Sequence, residues 1–191
     1  MGWHDSKSNP HLSLPMNLAV RSTGLVLLTL FSAVPAAPEE IGTWSFSENK
    51  AEDGATSYAA SLPSTNLISS GYEEADYPAI YTIACKSGDP TKWSQWLKLE
   101  DALSGRGQTE LIATVDKKSP REEFWTVGDN RHFLSRENVL DISELRTAKT
   151  LKLTWNWGWT WLWLSDKARF ELGDIAAIIF TLAKSCGIPE P

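Results

Sequence analysis

The chain is poor in the residues that build most catalytic and metal centres. Cys85 and Cys186 lack the close C-x2–4-C spacing of a zinc finger, and two Cys are too few for a disulfide-dense miniprotein. There is no basic excess: Lys and Arg number 18 against 24 Asp and Glu, a formal charge of −6. A nucleic-acid binder needs a basic face to neutralise phosphates, so that class is set aside. No apolar run comfortably reaches the about 20 residues of a membrane-spanning helix. There is no Gly-x-Ser-x-Gly elbow and no His pair at metal-ligand spacing. Gly105-Arg106-Gly107 lacks the Lys-Ser/Thr of a phosphate-binding loop. No cofactor, metal ligand or catalytic residue is assigned. The chain is nevertheless 42% hydrophobic, too apolar for disorder, and its length fits one domain. Its abundant residue is Trp, of which there are ten.

Residues 24–37 form an uncharged apolar run, preceded by Arg21 and followed by Pro38-Glu39-Glu40. A positive flank, a short apolar stretch and small residues at its end predict a secretory signal, cleaved after Ala36. Residues 1–15 are polar and hold Pro10 and Pro15, which makes that signal over-long. A start at Met16 gives a conventional length. The expected organisation is a signal over 1–36 and a single exported β-rich domain over 37–191, periplasmic or secreted.

Along residues 37–191 the signals are mostly those of strands. Thr43–Ser47 alternates polar and apolar residues, as a half-buried strand does. Tyr58–Leu62 follows and is expected to stop at Pro63, with 63–78 mainly loop. Ala79–Cys85, apolar on both faces, reads as a central strand. Trp93–Leu99, Leu111–Val115, Phe124–Val127, Leu151–Leu164 and Ala168–Leu172 complete the set. Turn signals separate them, and 137–147 is a short helix candidate. Many short strands with few, late helices predict a mainly β fold: an antiparallel β-sandwich or an open sheet with a packed C-terminal helix.

That helix has the clearest local code. Asp174 is a favoured N-cap, Lys184 complements the dipole in the last turn, and Gly187 with Pro189 ends it. Ile175, Ile178, Ile179 and Leu182 share a face, and Cys186 falls on the same stripe. An exported location is oxidising, and Cys85 and Cys186 are the only two Cys in the chain. They are therefore expected to pair, and the bridge would clamp the helix onto the central strand.

The strongest pattern is Thr154 to Leu164, with Trp155, Trp157, Trp159, Trp161 and Trp163 at a period of two. A continuous strand puts all five indoles on one face. Gly158 could instead break the row at a turn or bulge. Three readings are open. The indoles pack a core, or they form a platform for a glycan or peptide, or they contact a membrane surface, near Lys167 and Arg169. Elsewhere, Glu122-Glu123 beside Trp125 is the carboxylate candidate for glycan cleavage, and a charged turn flank is the commoner meaning of such a pair. His132, beyond residue 36 the sole His, reads as a loop residue.

The order of three features resembles an exported family. They are Gly42-Thr43-Trp44-Ser45-Phe46-Ser47, the strand Ala79 to Cys85, and Phe170-Glu171-Leu172-Gly173 followed by Ile175 to Cys186-Gly187, with Asp116 ahead of Trp125. In this it is similar to the periplasmic VasI-like proteins associated with type VI secretion. The resemblance implies a disulfide-bonded, β-rich accessory protein without catalysis, and it transfers no site residues. The Trp row departs from that family's pattern. The functional expectation is an exported, non-enzymatic accessory or binding protein of the bacterial envelope, acting on a protein partner. The alternative is a glycan-binding or glycan-cleaving domain that uses the Trp row.

Overall fold

The computed structural model describes residues 40–41, 44–51, 54–69, 76–103, 106–137, 139–156 and 165–191. In chain order the elements are β1 (Glu40–Ile41), β2 (Trp44–Lys50), β3 (Thr56–Ile68), β4 (Tyr77–Lys86), β5 (Asp89–Lys98), β6 (Gln108–Val115), β7 (Arg121–Val127) and β8 (Phe133–Glu137). Helix α1 (Val139–Leu145), β9 (Thr150–Asn156), β10 (Ser165–Glu171) and α2 (Ile175–Cys186) follow. All the described strands belong to one antiparallel sheet in the order β1-β2-β3-β4-β5-β8-β7-β6-β9-β10. Of the two architectures expected, the structure is the open sheet with a packed helix.

The sheet curls so that its inner face makes one core. Alternation does this strand by strand: β4 buries Tyr77, Ala79, Tyr81, Ile83 and Cys85 and turns the residues between them outward. Trp93 of β5, Trp125 of β7 and Trp155 of β9 are fully enclosed, with Phe170 of β10 and Leu62 of β3. Trp44 stacks edge-on to Tyr81, with ring centroids 6.3 Å apart, and its indole N–H donates to the Leu172 carbonyl at 3.0 Å. Curling brings β10 beside β3. The Asn66 side chain spans the gap, donating to the Lys167 carbonyl at 2.9 Å and accepting from the Arg169 N–H at 2.8 Å. It satisfies strand-edge groups as a neighbouring peptide would.

Both helices follow directly from strands, α1 from β8 and α2 from β10, and α2 packs against β3 and β4. Helix α2 begins as its sequence dictates: the Asp174 carboxylate accepts from the Ala177 N–H, and Gly187 closes the helix in the left-handed conformation, φ 65°. Its buried stripe is Ile175, Ile178, Ile179, Leu182, Ala183 and Cys186. Cys186 is bonded to Cys85, with Cα atoms 6.3 Å apart.

Three local expectations change. Strand β3 does not stop at Pro63 but runs to Ile68, with a register shift against β4 between Pro63 and Leu67. Proline lacks the ladder N–H, and an irregularity in pairing is where a strand tolerates it. Strand β4 is interior in the sheet but buried on one face only. Strand β8 has no apolar alternation to announce it, because Arg136 takes an inward position where an apolar residue would signal a strand.

Candidate functional site

Two features stand apart from plain core packing. The first is an ion cluster under α1. Arg121 places its guanidinium 2.7 Å from Glu123, 3.2 Å from Asp141 and 2.9 Å from Glu144. Arg136 reaches Glu123 at 2.6 Å and Asp141 at 2.9 Å. The Arg136 Nη1 and Asp141 Oδ2 contacts are at ion-pair distance but outside hydrogen-bond alignment. The Trp125 indole donates to Glu123 at 3.0 Å, and the Tyr81 hydroxyl meets Gln95 at 2.6 Å nearby. Burial raises Asp141 above the ordinary carboxylate value, against the opposing pull of Arg136. Burial first, then the charges of Glu123 and Asp141, hold the Tyr81 hydroxyl far above its usual range. Hydrogen bonding to Glu123 raises the Arg121 guanidinium further.

Glu122 and Glu123 do not converge. Neighbours on a strand face opposite sides, so Glu122 is exposed on β7 while Glu123 is buried at 5% exposure. Glu123 is held by two guanidiniums and an indole, and the adjoining hollow is about 10 Å³, far too small for a sugar ring. The cluster instead ties β7, β8 and α1 together. A second acidic pair, Asp101 and Asp166, lies near Tyr77. Burial, then the Asp101 charge, raises Asp166, and burial pushes Tyr77 up to about 12.

The second feature is a trough on the outer face of β2, β3, β4, β5 and β8, about 390 Å³ in volume. Its floor is made of small side chains, among them Ser47, Asn49, Ser57 and Thr82. Trp96 and Phe133 stand over it, edge to face, with centroids 6.3 Å apart at 84°. Trp96 is 39% exposed, and its indole N–H is fixed by Ser94 Oγ at 2.8 Å. The indole's polar edge is therefore satisfied within the protein while part of its apolar ring faces solvent. Hydroxyls and an amide beside an aromatic plane can bind a sugar ring or a peptide segment. The sequence carried a signal for Trp96: once Trp93, Gln95, Leu97 and Leu99 form the buried set, period two leaves Trp96 outside.

Of the Trp row, Trp155 is in the core at 1% exposure, in register with Leu111 of β6 and Asp166 of β10. An indole buried there packs the core and presents no platform to a ligand. Trp157, Trp159, Trp161 and Trp163 lie outside the described residues. His132 is a turn residue whose N–H is held by Asn130 and whose carbonyl accepts from Leu99. No group of three or more His, Cys, Asp or Glu residues suited to a metal ion occurs among the described residues. No described helix is long and apolar enough to cross a membrane. The chain matches no known protein family, no curated protein and no solved structure.

Proposed function

We propose that this chain is an exported, non-enzymatic binding protein of the bacterial cell envelope, acting by contact with a protein partner along the trough beside Trp96. One observation carries the reading: an exposed, hydrogen-bond-anchored indole overlooks a floor of small polar side chains. An aromatic ring fixed in place loses little entropy when it becomes an interface anchor. The Cys85–Cys186 bond supports an oxidising compartment, and with the apolar run at 24–37 it supports export. The resemblance to VasI-like proteins would make the partner a component of a secretion assembly. Crosslinking in the periplasm, with the full chain and Trp96→Ala side by side, tests this. A defined partner captured by the former and lost from the latter is expected. Equal capture by both, or none by either, would overturn the trough as the contact.

The exposed ring of Trp96 over hydroxyls favours a second reading, in which the ligand is a glycan. Retention on insoluble peptidoglycan or polysaccharide, abolished in Trp96→Ala, would support it. Retention kept in Trp96→Ala but lost in Trp157→Phe/Trp161→Phe would move the ligand to the Trp row.

A further inference from the structure

Strands β9 and β10 gather three cations on the outer face of an acidic chain. Lys152 and Arg169 are direct cross-strand partners, and Lys167, two residues before Arg169, lies on the same face. With Thr65 and Asn66 they line a hollow of about 360 Å³. None of the three makes an ion pair among the described residues. Like charges directly opposite on a sheet repel and reduce stability. On a chain of net charge −6, this pairing is not the overflow of a basic composition.

The backbone beneath the cations is fixed from the side. Asn66 holds the Lys167 carbonyl and the Arg169 N–H, and the Thr65 hydroxyl donates to the Arg169 carbonyl at 3.2 Å. The strands that carry the cations are thus held by both the β9–β10 ladder and the β3 seam, so little backbone ordering remains when an anion arrives. A guanidinium offers a planar fork to two oxygens, and two ammonium groups add point charges around it. That set suits a tetrahedral oxyanion carrying one or two charges. We propose that this hollow binds a phosphate group, as free phosphate or as the headgroup of an anionic lipid.

The experiment uses the full, disulfide-bonded chain and the variant Lys152→Gln/Lys167→Gln/Arg169→Gln. Thermal unfolding is followed in inorganic phosphate and in chloride at matched ionic strength and pH. The wild type is expected to show a saturating rise in Tm with phosphate over chloride, and the triple variant none. Arg169→Gln alone is expected to keep the wild-type Tm in chloride, which shows that the variant side chain is tolerated and that loss of the phosphate response in the triple variant is not loss of fold. Co-sedimentation with phosphatidylcholine vesicles, with and without phosphatidylglycerol, identifies the source. Binding to the anionic vesicles that weakens about 100-fold in the triple variant, at a factor of about five per basic residue, points to a headgroup. A phosphate response without vesicle binding points to the free anion. A wild type that answers to neither, or a triple variant that answers as the wild type does, overturns the site.

Discussion

The Asn66 side chain accepts a hydrogen bond from the backbone N–H of Arg169 at 2.8 Å, across 103 positions of sequence. Its amide nitrogen donates to the Lys167 carbonyl at 2.9 Å, so one side chain joins the two strands that the curled sheet brings together. Asn66→Ala leaves both backbone groups to water and is expected to cost about 1–2 kcal/mol, at roughly 1 kcal/mol per lost hydrogen bond. Asn66→Asp keeps the acceptor for the Arg169 N–H and sits beside Lys152, Lys167 and Arg169, but cannot donate to the Lys167 carbonyl, so it is expected to lose less than Asn66→Ala. Urea midpoints of the two variants check the order, and faster hydrogen exchange at the Arg169 amide checks the location.

The ion cluster predicts a sharp contrast between two glutamates that touch the same arginine. Glu123 is buried and Glu144 is half exposed. Glu123→Gln removes the charge facing two guanidiniums, of which Arg136 is mostly buried, and is expected to cost about 3–5 kcal/mol. Glu144→Gln is expected to cost less than about 1 kcal/mol, since water replaces the lost partner. Equal destabilisation in denaturant titrations would contradict the burial argument.

Asp166 gives the pH prediction. Burial and the nearby Asp101 raise its folded-state pKa above 3.8. The folded state therefore binds this proton more tightly than the unfolded state does. The resulting stabilisation is complete below the unfolded value and is lost as pH rises through the raised one. Asp166→Asn is expected to be more stable than the wild type near neutral pH, with the advantage shrinking to nothing as pH falls below about 3.8. Stability against pH for both proteins measures this, and a gap independent of pH would refute it.

The disulfide joins residues 101 apart. Cys85→Ser/Cys186→Ser is expected to lose up to about 4–5 kcal/mol, the chain-entropy value for a loop of this length. Because α2 also buries its apolar stripe, the variant is expected to keep its helix by circular dichroism while its urea midpoint falls.

Trp44→Phe tests the bond from β2 to Leu172, in the link between β10 and α2. It keeps the aromatic contact with Tyr81 but leaves the Leu172 carbonyl without its indole donor. An expected loss of about 1–2 kcal/mol would appear in equilibrium unfolding.

Local chemistry was legible in the sequence where it depended on neighbours along the chain. Asp174, Lys184 and Gly187 delimit α2 because capping is decided within one turn. Period two located most strands, since alternation follows from the pleat alone. The same rule failed for β8, because the inward Arg136 is balanced by Glu123 and Asp141 from other elements. Proline as a breaker misled at Pro63, where the break it signals became a shift in pairing rather than an end.

By itself, the sequence determined a mainly β chain with a capped C-terminal helix and two Cys placed to join that helix to a strand. Those features rest on short-range geometry and residue counts. Only the tertiary structure decided that the described strands form one curled sheet, and that Trp155 faces inward while Trp96 faces outward. It alone brought Asn66 to Arg169 and set Lys152 opposite that same arginine. The reason is physical: which face of a strand is buried, and which edges meet, is fixed by how the whole sheet closes over its core, and no window of neighbouring residues contains that information.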